Sequence, residues 1–138
     1  MLQIMLRKLF LLFVAFLLSS CIMDRNTCIV VINNDTNSSI LVAKQPNQNI
    51  TDSLVFLNDL DKAELISGEI RNICLPYSNL QSLPSNEKAY LYIFNIDSLE
   101  KYRKSKKVDG IMDLCLIDKF SIQLNKVKDE LDTIYVSK

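Results

Sequence analysis

AYLYIFN, residues Ala89–Asn95, is aromatic or aliphatic at every position but the last. A strand with one wet face alternates apolar and polar residues. A run without that alternation belongs to a strand covered on both faces, so the stretch is read as a central strand of a sheet. Downstream, Asp97-Ser98-Leu99-Glu100 has the form of a helix start, with Asp97 as N-cap and Glu100 three residues on. That helix is expected to run to about Lys107 and to stop at Asp109-Gly110. Met112, Leu114 and Leu116 then alternate as a half-buried strand requires. Ser121 is placed to cap a further helix with Leu124, Val127 and Leu131 on one face, and Thr133–Val136 (TIYV) reads as a closing strand.

Upstream, Cys28–Asn33 (CIVVIN) is rich in β-branched residues and reads as a strand. Asn33-Asn34-Asp35-Thr36-Asn37 is turn chemistry, and Ser39–Lys44 (SILVAK) suits the returning arm of a hairpin. Residues 45–52 form a polar loop containing Pro46, and Leu54–Leu57 suits a short strand. Leu65-Ile66 and Glu69–Leu75 suggest a second hairpin around Ser67-Gly68, where Gly68 supplies a positive φ. Tyr77, Leu80 and Leu83 are spaced as one or two helical turns before Pro84. About eight short strands and two or three short helices predict a mainly β domain. The expected form is a two-layer, mostly antiparallel β-sandwich of the immunoglobulin or transthyretin kind, with an α+β single sheet as the alternative.

The N-terminus carries a different signal. Arg7 and Lys8 precede Leu9–Leu18 (LFLLFVAFLL), which is continuously apolar, and Ser19-Ser20-Cys21 follows. Positive region, short apolar core and small residues before a cut site make a secretory signal. A transmembrane helix needs about 20 apolar residues to cross ~30 Å of hydrocarbon, and this run is shorter. Leu18-Ser19-Ser20-Cys21 resembles a lipobox, the signal of bacterial lipoproteins. The resemblance implies that Cys21 is diacylated, for instance with palmitate, and becomes the first residue after cleavage. Two or three acyl chains hold a protein durably on a bilayer, at about 0.8 kcal/mol per buried CH₂. The expected organisation is a lipoprotein signal peptide over 1–20, a lipidated Cys and tether over 21–27, and a β-rich domain over 28–138. Ile22–Thr27 (IMDRNT) reaches no more than roughly 20 Å, which keeps the domain near the membrane.

Composition narrows the chemistry. Without residues 1–20 the chain keeps 118 of its 138 residues, enough for one core. Losing Arg7 and Lys8 leaves 14 basic against 16 acidic side chains, a formal charge of −2. Such a chain has no global field to draw it to nucleic acid. It has no His, so Ser-His-Asp and Cys-His catalysis are excluded. With Cys21 lipidated, Cys28, Cys74 and Cys115 remain, and none has metal-ligand spacing. One disulfide with one free thiol and three buried reduced thiols both stand open.

AYLYIFNIDSLEKY and DLCLIDKFSIQLNKVKDELDTIYV resemble the C-terminal half of small lipoproteins from anaerobic, gut-type Gram-negative bacteria. Those chains pair a lipobox with an early I-x-N-N turn, matched here by Ile32-Asn33-Asn34. Their apolar strand ends in Phe before an acidic-Thr-Leu-Glu turn and a Tyr, matched by Phe94, Asp97-Ser98-Leu99-Glu100 and Tyr102. A final T-I-x-Y-type strand corresponds to Thr133-Ile134-Tyr135. The match covers about half of the chain after Cys21. Ser98 stands in place of Thr, and tryptophans common in the family are absent. The resemblance implies an envelope location and a β-rich fold, and no activity.

Several surface features invite a function, each with a plainer reading. Lys101, Arg103, Lys104, Lys106 and Lys107 crowd one helix. They suit contact with an anionic surface, at about 1 kcal/mol per basic residue, or a solvated face supported by Glu100–Lys104. Asp59, Asp61 and Glu64 share a loop but lack EF-hand spacing, so no metal site is assigned. Asp52-Ser53-Leu54, Asp97-Ser98-Leu99 and Asp132-Thr133-Ile134 resemble the Asp-Ser/Thr-apolar acceptor of bacterial O-glycosylation, with Ser53 the candidate. Tyr90, Tyr92, Phe94 and Tyr102 suit either a sugar-binding face or a sheet core. No catalytic residue and no cofactor is expected. The chain reads as a lipid-anchored, non-enzymatic module of the cell envelope, on the outer membrane, with the periplasmic and surface faces both open. Its expected partners are the bilayer through Cys21 and an envelope protein or glycan. The alternatives are an accessory subunit or inhibitor of a secreted or envelope enzyme, and last a His-independent hydrolase.

Overall fold

The computed structural model describes residues 3–8, 26–46, 50–52, 55, 60–77, 79–106 and 108–137. Within them the domain is mainly β. In chain order its strands are β1 (Thr27–Asn34), β2 (Ile40–Pro46), β3 (Lys62–Leu65), β4 (Ile70–Leu75), β5 (Lys88–Asn95), β6 (Leu116–Gln123) and β7 (Thr133–Val136). Helices α1 (Ile96–Lys104) and α2 (Ile111–Cys115) lie between β5 and β6, and a 3₁₀ turn, Leu124–Lys126, follows β6. The strands form two sheets, ordered β4-β1-β7 and β3-β2-β5-β6. All pairs are antiparallel except β1–β7, which is parallel.

The opening stretch explains itself here. Ala89, Leu91 and Ile93 of β5 face the first sheet and pack with Ile32, Ile40, Val42 and Ile73. Tyr92 and Phe94 face the other way, against Leu99 of α1 and Ile111 and Cys115 of α2. β2 divides likewise, with Ile40 and Val42 inward and Leu41 and Ala43 under the helices. Both faces of these strands are dry, so their sequence carries no alternation. The helices lie on the outer face of the four-stranded sheet, while the outer face of the three-stranded sheet stays exposed, with Ile70 at 63% and Tyr135 at 66%. Ile70, Asn33 and Tyr135 stand in one row across it.

Several local expectations change. Neither expected hairpin forms. β1 and β2 belong to different sheets, and so do β3 and β4. Asn34 is fully buried where β1 ends, and its side chain bonds the carbonyls of Leu65 and Ile66 across the second corner. Those bonds hold both turns as crossings between sheets. Of the strand expected through Met112, Leu114 and Leu116, the first two residues lie in helix α2 and Leu116 opens β6. Its i,i+4 pair Ile111 and Cys115 is buried, and Leu114 of the apparent alternation is 69% exposed. Where a helix is expected from Ser121, Ser121–Gln123 is strand, because Ser121 pairs with Tyr90 and Ile122 with Ala89, giving β5 its neighbour, and only the 3₁₀ turn Leu124–Lys126 is helical. Helix α1 is capped by Asn95, whose Oδ1 accepts the Ser98 N–H at 2.9 Å, and Asp97 sits in the first turn. It ends at Lys104, where Ser105 caps it and Lys106 takes φ +56°. Residues 79–85 form turns, with Leu80 buried in the core. Of the expected strand over Leu54–Leu57, only Val55 is described, and it is helical.

Candidate functional site

The end of the sandwich where β1 begins is closed covalently. Cys28 and Cys74 face each other in register across β1 and β4 and form a disulfide, one of the two arrangements the sequence left open. The Thr27 hydroxyl donates to the Tyr77 carbonyl beside it. Lys44 reaches from the other sheet, donating to the Cys74 carbonyl at 2.7 Å and pairing with Asp61 at 3.4 Å. Cys115 is a free thiol, 3% exposed, and burial pushes its pKa up against a smaller downward pull from the Arg103 guanidinium.

The basic helix divides. Lys101, Lys104 and Lys106 are exposed. Arg103 is half-buried and donates to the Val55 carbonyl at 2.6 Å, so it ties α1 to the segment beside it. Lys107 lies outside the described residues, as do Cys21, Ser53 and Asp59. The aromatic group is drawn inward. Tyr92 and Phe94 are buried with stacked rings, and Tyr102 donates to the Asp109 carbonyl. The Lys119 ammonium lies 5.1 Å and 4.9 Å from the ring centres of Tyr90 and Tyr92. Asp52, first of the Ser53 acceptor pattern, uses its carboxylate to receive the Gly110 and Met112 N–H groups at 3.0 and 2.8 Å. No group of metal-ligating side chains occurs among the described residues, and none of their helices is long and apolar enough to cross a membrane.

One feature escaped sequence reasoning. A cleft of about 310 Å³ opens on the side of the sandwich where β6 and β7 are edge strands. Its floor is Ile29, Val30, Phe120, Ile122 and Ile134, and its rim carries Lys126, Lys128, Glu130 and Asp132. An apolar floor with a few polar groups at the mouth is the general form of a ligand site. The cleft exists because β7 is short. It pairs with Val31–Asn34 only, so Thr27–Val30 have a strand neighbour on the β4 side alone. The only sequence signal is the length mismatch between CIVVIN and TIYV, which shows its meaning once the two are known to pair. Comparison of the chain with family models, curated proteins and solved structures returned no match in any of the three.

Proposed function

We propose that this chain is a lipid-anchored, non-catalytic binding module of the bacterial cell envelope. The observation that carries the reading is Leu18-Ser19-Ser20-Cys21 directly behind a charged, then apolar, leader. The Cys28–Cys74 disulfide supports it independently, because such bonds persist on the oxidising side of a membrane and are rare in the cytosol. Thr27 opens the first strand within about 20 Å of chain from Cys21, so the anchor holds the disulfide-bonded end of the sandwich toward the lipid. A module so tethered meets partners with its sides and far end. Metabolic labelling with radioactive palmitate tests the reading. Wild type takes up label and sediments with membranes, whereas Cys21→Ser takes up none and is released. Equal labelling of the two overturns it.

A further inference from the structure

We infer that the outer edge of β4 pairs, antiparallel and about a two-fold axis at Ile70, with the same edge of a second copy of this chain. This goes beyond the reading of the chain as a binding module, because it names the partner, and it does not rest on the anchor at Cys21.

Three observations specify that occupant. First, β4 is the outermost strand of its sheet, and Ile70, Arg71 and Asn72 are all exposed. The Asn34 N–H donates to the Glu69 carbonyl at 2.9 Å, so Glu69 turns its carbonyl toward β1. Backbone direction alternates along an antiparallel strand, so Ile70 and Asn72 turn their N–H and C=O groups outward. Cys74 follows the same alternation, and there Lys44 takes the outward carbonyl at 2.7 Å. The edge is thus closed beside the disulfide and open at its other end, from Ile70 to Asn72. Such an edge is a template for another strand.

Second, the charges choose the register. Outward groups at Ile70 and Asn72 allow a two-fold axis at residue 70, 71 or 72. An axis at 71 sets Arg71 against Arg71 of the second copy, and an axis at 72 sets Arg71 against Ile73. An axis at 70 sets Ile70 against Ile70, Glu69 against Arg71 and Arg71 against Glu69. Only that register places unlike charges directly opposite, in the pairs whose facing side chains approach most closely. Glu69 and Arg71 already form an ion pair along β4, so the two copies bring together four alternating charges. Third, Ile70 is the exposed end of the row Ile70, Asn33 and Tyr135. The axis at Ile70 continues that row through its twin and joins two three-stranded sheets into one of six. A two-fold contact of this kind is isologous and closes at two copies. β1 and β4 reverse direction across the axis, so the N-terminal ends of the two domains point apart. Where both copies are lipid-anchored, the pair spans two facing surfaces.

The test purifies the full chain in detergent with either of two affinity tags, mixes the two forms and measures how much of one the other retrieves. Wild type is expected to retrieve wild type. Arg71→Glu makes the edge wholly acidic and Glu69→Lys makes it wholly basic. Each is expected to retrieve its own kind at least tenfold less, and a mixture of the two variants to recover the wild-type amount, which also shows both to be folded. Ile70→Cys changes an exposed side chain and gives a readout that needs no charge variant. Mild oxidation should link two copies through residue 70 beyond the level seen in wild type, whereas Tyr135→Cys, at the other end of the same row, should not exceed that level. The proposal is overturned if wild type does not retrieve itself, if either charge variant retrieves its own kind as well as wild type does, if two folded variants fail to restore each other, or if Ile70→Cys links no better than Tyr135→Cys. None of these outcomes depends on palmitate uptake at Cys21, so failure of the pairing and failure of the anchor are read separately.

Discussion

The side-chain amide of Asn34 donates to the backbone carbonyl of Ile66 at 2.9 Å, so the last residue of β1 closes the corner that follows β3. The same amide lies 3.1 Å from the Leu65 carbonyl and 2.9 Å from that of Ser38. Its Oδ1 accepts the Thr36 N–H at 3.1 Å, and its own backbone bonds Glu69 and Gly68. One buried side chain thus organises both crossings between the sheets. Asn34→Ala leaves several carbonyls without their donor, at ~1–3 kcal/mol for each group that stays buried. The expected loss of stability is about 3 kcal/mol in urea unfolding, and Asn34→Asp, which replaces donor by acceptor, should lose at least as much. A loss below ~1 kcal/mol would remove Asn34 from this role.

The Cys28–Cys74 bond closes a loop of sequence separation 46 that contains β1 to β4 and both corners. In the chain-entropy account a loop of that length contributes about 4 kcal/mol. Cys28→Ser/Cys74→Ser should therefore unfold at markedly lower urea, and a reductant should destabilise wild type and leave the variant unchanged. Thiol counting gives a second readout. Cys115 is buried with a raised pKa, so the folded chain should react slowly with a disulfide reagent. After denaturation the lipidated form should expose one thiol per chain, and two would show Cys21 unmodified.

How far the residues disclosed these relations depends on the distance over which each acts. AYLYIFN declared its two dry faces by itself, because burial on both sides is written into one strand. The β-rich class and the two sheets followed from similarly local signals, whereas the stop expected at Asp109-Gly110 falls at Lys104 and Gly110 opens α2 instead. Asn33–Asn37 and Ser67-Gly68 marked turns correctly, but the same chemistry serves a hairpin and a crossing between sheets. What separates the two is Asn34 reaching Ile66, a contact across 32 residues. Met112-x-Leu114-x-Leu116 misled because Ile111 and Cys115, one helical turn apart, are the residues the core needs. The cleft was least legible of all, since it arises where a strand is missing.

Acid should loosen the second corner. The Ile66 N–H donates to Glu69 Oε2 at 3.0 Å, and this bond, followed by the Arg71 guanidinium, holds the Glu69 carboxyl below its ordinary 4.5. A depressed carboxyl contributes stability that is fully present above the unfolded-state pKa. That contribution is lost as pH falls through the lower folded-state value. Wild type should therefore exceed Glu69→Gln in urea midpoint near neutrality, with the gap closing below the ordinary carboxylate range. The protection of the Ile66 amide against exchange, referred to its intrinsic rate at each pH, should fall over the same interval in wild type alone. A gap independent of pH would show that the carboxylate charge is not what holds the turn.

Asp52 reaches across 58 residues to receive the Gly110 N–H and, two residues on, that of Met112. The carboxylate thus satisfies donors at the start of α2, where the helix itself has no acceptors and where negative charge is favoured. Gly110 supplies the left-handed entry at φ +81°, which a side chain would strain. Asp52→Ala should cost ~1–2 kcal/mol, as loss of a helix cap does, and Asp52→Asn, which keeps one acceptor, about half of that. Because α2 covers the outer face of the four-stranded sheet, the cost should appear first as local opening. Cys115 ends α2, so its modification by a disulfide reagent reports that opening. A loss of 1.4 kcal/mol corresponds to a tenfold faster reaction. If Asp52→Ala reacts at the wild-type rate while its global stability falls, the carboxylate stabilises the domain by some route other than seating α2.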